Sequence, residues 1–94
     1  MTKQQRMRLQ DYASLLNDFI SGRITPKTFE TIYLRKFKAE TIELPEHAFE
    51  VLDRLFGDVD AYCDDPSIRD SDDLGDEELL SSAKRSLGEI EKII

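Results

Sequence analysis

The chain has 94 residues, enough for one small domain with a single core. Its 39% hydrophobic and 35% charged residues are typical of a globular protein and exclude a disordered chain. No apolar run approaches the roughly 20 residues that span a bilayer, and the first ten residues lack the apolar core of a secretory signal. With a single cysteine, Cys63, which cannot form an intramolecular disulfide, we expect a cytoplasmic protein.

Charge is distributed unevenly along the chain. The net charge is −7, yet residues 40–78 contain fifteen carboxylates and only two arginines, Arg54 and Arg69. Residues 1–39 contain eight Lys and Arg and three acids. This polarity either lets the basic part neutralise the acidic part within one fold or directs a negative field at a cationic partner, and both can operate together.

Two helices are predicted in the first half, from apolar residues that recur at spacings of three and four. The first covers residues 4–20 and ends before Gly22, which can take the left-handed conformation that closes a helix. The second begins at Pro26, with Thr25 as its N-cap. We expect their buried faces to comprise Leu9, Tyr12, Ala13, Leu16, Phe19, Ile20, Phe29, Ile32, Tyr33 and Phe37.

Two more helices are predicted in the second half. The third covers residues 45–62, and the fourth begins between residues 73 and 76. Their expected apolar residues are Ala48, Phe49, Leu52, Leu55, Phe56, Val59, Leu79, Leu80, Ala83, Leu87, Ile90 and Ile94. Because nothing alternates with a period of two, we predict an all-α antiparallel four-helix bundle forming a single domain over residues 1–94. A three-helix core with a loosely attached first helix is the alternative.

Residues 64–75 have turn-forming residues at nearly every position and are predicted to form a carboxylate-rich loop. We expect Ile68 and Leu74 to turn inward as anchors and Arg69 to pair with Asp65 or Asp73. Tyr62 either packs at the end of the third helix or serves as an anchor in an interface, where tyrosine is frequent.

Catalysis and metal binding find little support. His47, the only histidine, has no serine or cysteine at a spacing that suggests a nucleophile, so we predict neither an enzyme nor a cofactor. A calcium loop that begins at Asp70 would place Leu74 and Ser81 where an oxygen ligand and a bidentate carboxylate are required. We therefore predict no metal site.

A binding role accounts better for the carboxylates on the outer side of the third helix. Three like-charged pairs there, within Glu46, Glu50, Asp53, Asp60 and Asp64, together cost about 1 kcal/mol. A merely solubilising surface would interleave lysines. The basic residues of the second helix, in contrast, are typical of a solvated face, and we expect no direct contact with nucleic acid or membrane.

Several segments carry a resemblance to a known family. FISGRIT at residues 19–25 precedes the aromatic pattern of the second helix, and DVDAYCDDPSIRD at residues 58–70 is the most specific piece. From Leu9 to Leu87 the chain resembles the colicin D immunity family of bacterial self-protection proteins, which also occur beside contact-dependent growth inhibition toxins. The resemblance implies a four-helix bundle that blocks a cognate tRNA-cleaving ribonuclease by placing acidic side chains in its cationic groove.

The resemblance also implies which residues contact the toxin. Carried onto this sequence, the contact residues are Asp58, Asp60, Tyr62, Asp64, Asp65 and Asp70, with Asp72, Asp73 and Glu77 as second choices. Immunity proteins of DNase colicins have adjacent tyrosines before a proline in this region, whereas here Cys63 and two aspartates separate Tyr62 from Pro66. The alternative function is a general acidic helical adaptor or nucleic-acid-mimic regulator of another basic protein. We expect a monomer in the absence of the partner.

Overall fold

The computed structural model describes residues 1–94 and contains four helices and no strands. They are α1 (Lys3–Ile20), α2 (Pro26–Lys38), α3 (Glu46–Asp60) and α4 (Asp76–Ile93), which confirms the all-α prediction. Helix α3 ends two residues before the predicted boundary, so Tyr62 lies in the following loop. None of the four helices has the length and apolar character needed to cross a membrane.

Local signals set the beginnings of the first two helices. The Thr2 hydroxyl accepts from the Gln5 N–H at 3.1 Å, and the Gln5 side chain accepts in turn from the Thr2 N–H. Thr25 caps α2 through the Thr28 N–H at 3.1 Å, with Pro26 in the first helical position as predicted. Gly22 between these helices has a φ of 82°, which an L-residue with a Cβ adopts only with strain.

The helices pack antiparallel to their neighbours in sequence. Phe19 near the end of α1 stacks on Phe29 near the start of α2, with ring centroids 4.5 Å apart. The Tyr33 hydroxyl of α2 donates to the Leu52 carbonyl of α3 at 2.8 Å. Helices α3 and α4 are joined by the ion pairs Arg54–Glu89 and Asp58–Arg85, in which an earlier residue of α3 meets a later one of α4.

Helix α1 is an integral part of the bundle. It packs against both α2 and α4, and its Leu9, Tyr12 and Leu16 side chains are fully buried. The alternative of a three-helix core with a loosely attached first helix is therefore wrong. The buried faces of α2 and α3 are smaller than predicted, because Ile32 of α2 is 40% exposed and Phe49 of α3 is 48% exposed. Ile32 lies about 100° round the helix from the buried Tyr33, which places it outside the contact faces.

The two ends of this elongated bundle, 45 Å by 22 Å by 20 Å, are built differently. At one end, residues 39–45 connect α2 to α3 beside the start of α1. The Glu40 carboxylate there accepts from the Tyr12 hydroxyl and from Arg8, both at 2.7 Å. At the other end, the turn between α1 and α2 lies beside the long loop between α3 and α4, because each helix runs opposite to the one before it.

Candidate partner-binding surface

The segment between α3 and α4, residues 61–75, is a loop closed by backbone hydrogen bonds and is called the acidic loop below. The Cys63 N–H donates to the Leu74 carbonyl at 2.9 Å, and the Leu74 N–H donates to the Ala61 carbonyl at 3.0 Å. This is a parallel β-bridge between Tyr62 and Leu74. The two ends of the acidic loop therefore lie side by side, and its middle projects from the end of the bundle.

Arg69 fastens the acidic loop internally. Its Nε and Nη2 donate to the Cys63 carbonyl at 3.2 Å and 2.9 Å. Its guanidinium also lies against Gly75, where a Cβ would come within 2.7 Å of Nη1, so a larger residue there would displace the end of the Arg69 side chain. The predicted ion pair with Asp65 or Asp73 is wrong, because Cys63 offers a backbone oxygen to two N–H groups at once.

Two aspartates shape turns within the acidic loop. Asp65 Oδ1 accepts from the Ser67 hydroxyl at 2.7 Å and from the Ser67 N–H at 3.0 Å, and these bonds hold the pKa of Asp65 below its ordinary value. Asp73 Oδ2 accepts from the Asp70 N–H at 3.0 Å, while the Asp73 N–H donates to the Asp70 carbonyl at 3.1 Å. Both carboxylates therefore serve the conformation of the loop.

Tyr62 ties the acidic loop to α4. The side chain is only 8% exposed, and its hydroxyl donates to Asp76 Oδ1 at 2.6 Å. Burial and the neighbouring Asp76 carboxylate both raise the pKa of the Tyr62 phenol. Of the two interpretations left open by the sequence, this burial favours core packing over a surface anchor.

Ile68 points outward from the acidic loop and is 70% exposed. The prediction that it anchors the loop inward is wrong, since the interior next to the loop is already filled by Tyr62 and by the half-buried Leu74. Neither the spacing nor the composition of the loop distinguishes Ile68 from Leu74. The two residues differ because Leu74 forms the β-bridge with Tyr62, twelve positions earlier in the chain, and Ile68 does not.

The nine candidate residues fall into two groups according to their contacts. Four are used within the fold: Tyr62, Asp65 and Asp73 as described, and the half-buried Asp58 through Arg85 at 3.4 Å. The other five are exposed and their side chains make no hydrogen bond or ion pair within the protein. These five, called the free carboxylates below, are Asp60, Asp64, Asp70, Asp72 and Glu77.

Asp60 stands at an electrostatically unfavourable position. It is the last residue of α3, where the helix dipole presents its negative end, and the last turn of α3 contains no basic residue. The other acid near this end, Asp58, is compensated by Arg85, but Asp60 has no such partner. An unpaired acid at this position costs about 0.3 to 1 kcal/mol, so it has no role in stabilising the helix.

The basic half of the chain neutralises little of the acidic loop. Lys27, at the start of α2, pairs with Glu30 at 2.9 Å, and Glu30 and then the charge of Asp64 raise the pKa of Lys27. Arg8 pairs with Glu40 at the opposite end of the bundle, and Arg23 with Asp18 in the first half of the chain. The free carboxylates thus remain available for cations of another molecule.

The site offers exposed carboxylates for ionic contacts. His47 is exposed at the start of α3, and its Nδ1 lies 3.8 Å from Glu50 Oε2. The carboxylates of the site were predicted from the sequence, but the contact made by Gly75 and the role of Glu40 were not. A glycine before an acidic helix start resembles an ordinary cap, and the contact of Gly75 with Arg69 has no signal in the spacing.

The model of a family described as bacterial self-protective colicin-like immunity matches residues 7–90, and so covers nearly the whole chain and all of the acidic loop. Searches of curated proteins and of solved structures gave no significant match.

Proposed function

The chain belongs to the bacterial self-protective colicin-like immunity family, and from this premise we propose that the toxin it neutralises is a tRNA-cleaving nuclease whose basic active site the acidic loop covers. Membership implies a toxin-neutralising immunity protein, an inhibitor rather than an enzyme. The nature of the toxin and the mode of inhibition are the proposal. The proposal includes contact-dependent growth inhibition toxins as possible targets, because the colicin D immunity family that the sequence resembles also occurs beside such toxins.

The observation that carries the proposal is the set of free carboxylates on and beside the acidic loop. A nuclease holds the phosphates of its substrate with Lys and Arg side chains. Carboxylates bind the same side chains through charge-assisted hydrogen bonds. Asp60, Asp64 and Asp70 have no partner within the protein and therefore give up no internal contact when they bind the toxin. Inhibition on this basis is mimicry of the RNA backbone.

The internal contacts of the acidic loop support the same role. Binding costs less when the binding segment is already ordered, because less conformational entropy is lost. Arg69, Asp65 and Asp73 each fix part of the loop backbone, and Tyr62 fixes its start against α4. In the proposal, Asp58, Tyr62, Asp65 and Asp73 position the surface, and the free carboxylates contact the toxin.

Co-expression with the neighbouring open reading frame tests the proposal. We expect the product of that frame to be toxic alone and harmless with this protein. Reversing one charge in Asp60→Lys or Asp64→Lys should abolish protection while circular dichroism shows unchanged helicity. The matched control is Asp11→Lys, which reverses an exposed, unpaired acid on α1. Full protection by both loop variants would contradict the proposed surface, and a harmless neighbour would contradict the proposed toxin.

The substrate of the toxin is tested with purified proteins. We expect the toxin to cleave transfer RNA in vitro and an equimolar amount of this protein to stop the cleavage. Cleavage of DNA instead, with transfer RNA left intact, would show that the toxin is a nuclease of another class. Inhibition that persists when the toxin is already saturated with RNA would argue against competition for the phosphate-binding groove.

A further inference from the structure

We infer that Ile68 is a contact residue that enters an apolar recess in the wall of the toxin's cationic groove, of the kind that holds a nucleobase. The inference rests on the proposed function and adds an apolar contact to a surface so far described by charge alone. Among the large hydrophobic residues with substantial exposure, Ile68 is the most exposed, at 70%. It is also the one that lies among the candidate carboxylates, between Asp65 and Asp70.

The outward direction of Ile68 is set by the contacts of its neighbours. The Ile68 N–H donates to the Asp65 carbonyl at 3.2 Å, in the turn that Ser67 also stabilises through Asp65. On its other side, Arg69 is held by the Cys63 carbonyl and lies against Gly75. Because the backbone on both sides of Ile68 is already fixed, this segment loses little further backbone freedom on binding, which favours a contact role over an incidental exposed position.

The surroundings of Ile68 define the chemistry of the recess it fits. The partner must present cations for the free carboxylates and, between them, an apolar surface for the isoleucine. RNA-binding sites combine these features, because cations bind the phosphates while apolar and aromatic side chains pack against the bases. An inhibitor that carries carboxylates around an apolar side chain therefore matches both parts of such a site.

The dissociation constant of the complex with the purified product of the neighbouring open reading frame tests the inference. We expect Ile68→Ser to weaken binding by about ten- to a hundredfold, the effect of leaving a buried aliphatic side chain out of an interface. Ile68→Val should bind within a few-fold of the unmodified protein. The control is Met7→Ser, which removes an apolar side chain that is 55% exposed near the start of α1, at the opposite end of the bundle, and should leave binding unchanged.

Salt dependence and thermal stability distinguish an apolar contact from a structural effect. Ile68→Ser should keep the melting temperature and the slope of log Kd against log salt concentration, whereas Asp64→Asn should make that slope shallower. Equal binding of Ile68→Ser and the unmodified protein would overturn the inference and leave the proposed function intact. An unmodified protein that binds no toxin would overturn the proposed function, and the inference with it.

Discussion

The two ends of the bundle each contain a tyrosine whose hydroxyl donates to a carboxylate, yet the carboxylates around them have different fates. At the connector end, Glu40 accepts from Tyr12, from Arg8 and from the N–H groups of Thr41 and Ile42, and its side chain is 9% exposed. Both oxygens of the Glu40 carboxylate accept hydrogen bonds, so this charge stabilises the fold. Carboxylates of the same type thus differ in role according to the donors that surround them.

At the loop end, only some of the charge is used in this way. Asp76 accepts from Tyr62, and Asp65 and Asp73 accept within the acidic loop. The free carboxylates beside them have no donor at all. Carboxylates with internal donors belong to the scaffold, and carboxylates without them are available to a partner. Substitutions at the two ends should therefore affect different properties of the protein.

The largest expected effect is on stability at the connector end. Glu40→Ala leaves the Tyr12 hydroxyl and the Arg8 guanidinium without their acceptor and should lower the free energy of unfolding by about 3 kcal/mol. The matched substitution Asp64→Ala at the loop end should change it by less than about 0.5 kcal/mol. Urea denaturation followed by circular dichroism measures both. Equal losses would show that the two ends do not differ as described.

A smaller effect of opposite sign is expected at the end of α3. Asp60→Asn removes an unpaired negative charge from the negative end of the helix dipole and should raise the free energy of unfolding by about 0.5 kcal/mol. The same variant should protect less well in the co-expression assay, because a contact to the toxin is lost. A variant that is both less stable and fully protective would place Asp60 in the scaffold, together with Asp58.

The smallest expected effect is on the pH dependence of stability, since it comes from one carboxyl group. Burial alone would raise the pKa of Glu40, but the hydrogen bonds from Tyr12 and Ile42 and the charge of Arg8 outweigh it and hold the pKa below 4.5. Because the pKa of Glu40 is lower in the folded than in the unfolded protein, its ionised carboxylate stabilises the fold above about pH 4.5. This stabilisation is lost as the pH falls through the pKa of Glu40 in the folded protein. Denaturation midpoints should therefore fall less steeply in Glu40→Gln than in the unmodified protein below pH 4.5. Parallel curves would contradict this assignment.

The helices were predictable because their signals are local. Thr25 and Pro26 begin α2 as expected, and the periodic apolar residues of α1 account for its buried face, including Leu9 and Tyr12. The early end of α3 was not predictable, because the sequence stays compatible with helix up to Tyr62. What removes Tyr62 from the helix is its bridge with Leu74, a pairing between residues far apart in the chain.

The candidate site was predictable in its charge but not in its division of roles. Counting carboxylates located the acidic region, yet nothing in the spacing separates Asp64, which is free, from Asp65, which is bonded to Ser67. The outward position of Ile68 and the contact between Arg69 and Gly75 depend on how the loop closes. Such contacts follow from the three-dimensional path of the chain, which local patterns do not specify.

The bridge between Tyr62 and Leu74 has a consequence for how new variants can be made. Because the backbone hydrogen bonds of Cys63 and Leu74 close the loop at its base, α3 and α4 are held together independently of the residues between them. Loop length costs little free energy once the ends are joined. Residues 64–68 can therefore be replaced or lengthened as a cassette without disturbing the bundle, provided that Arg69 and Gly75 are kept, although the proposed contacts of Asp64 and Ile68 and the turn formed by Asp65 and Ser67 are then lost.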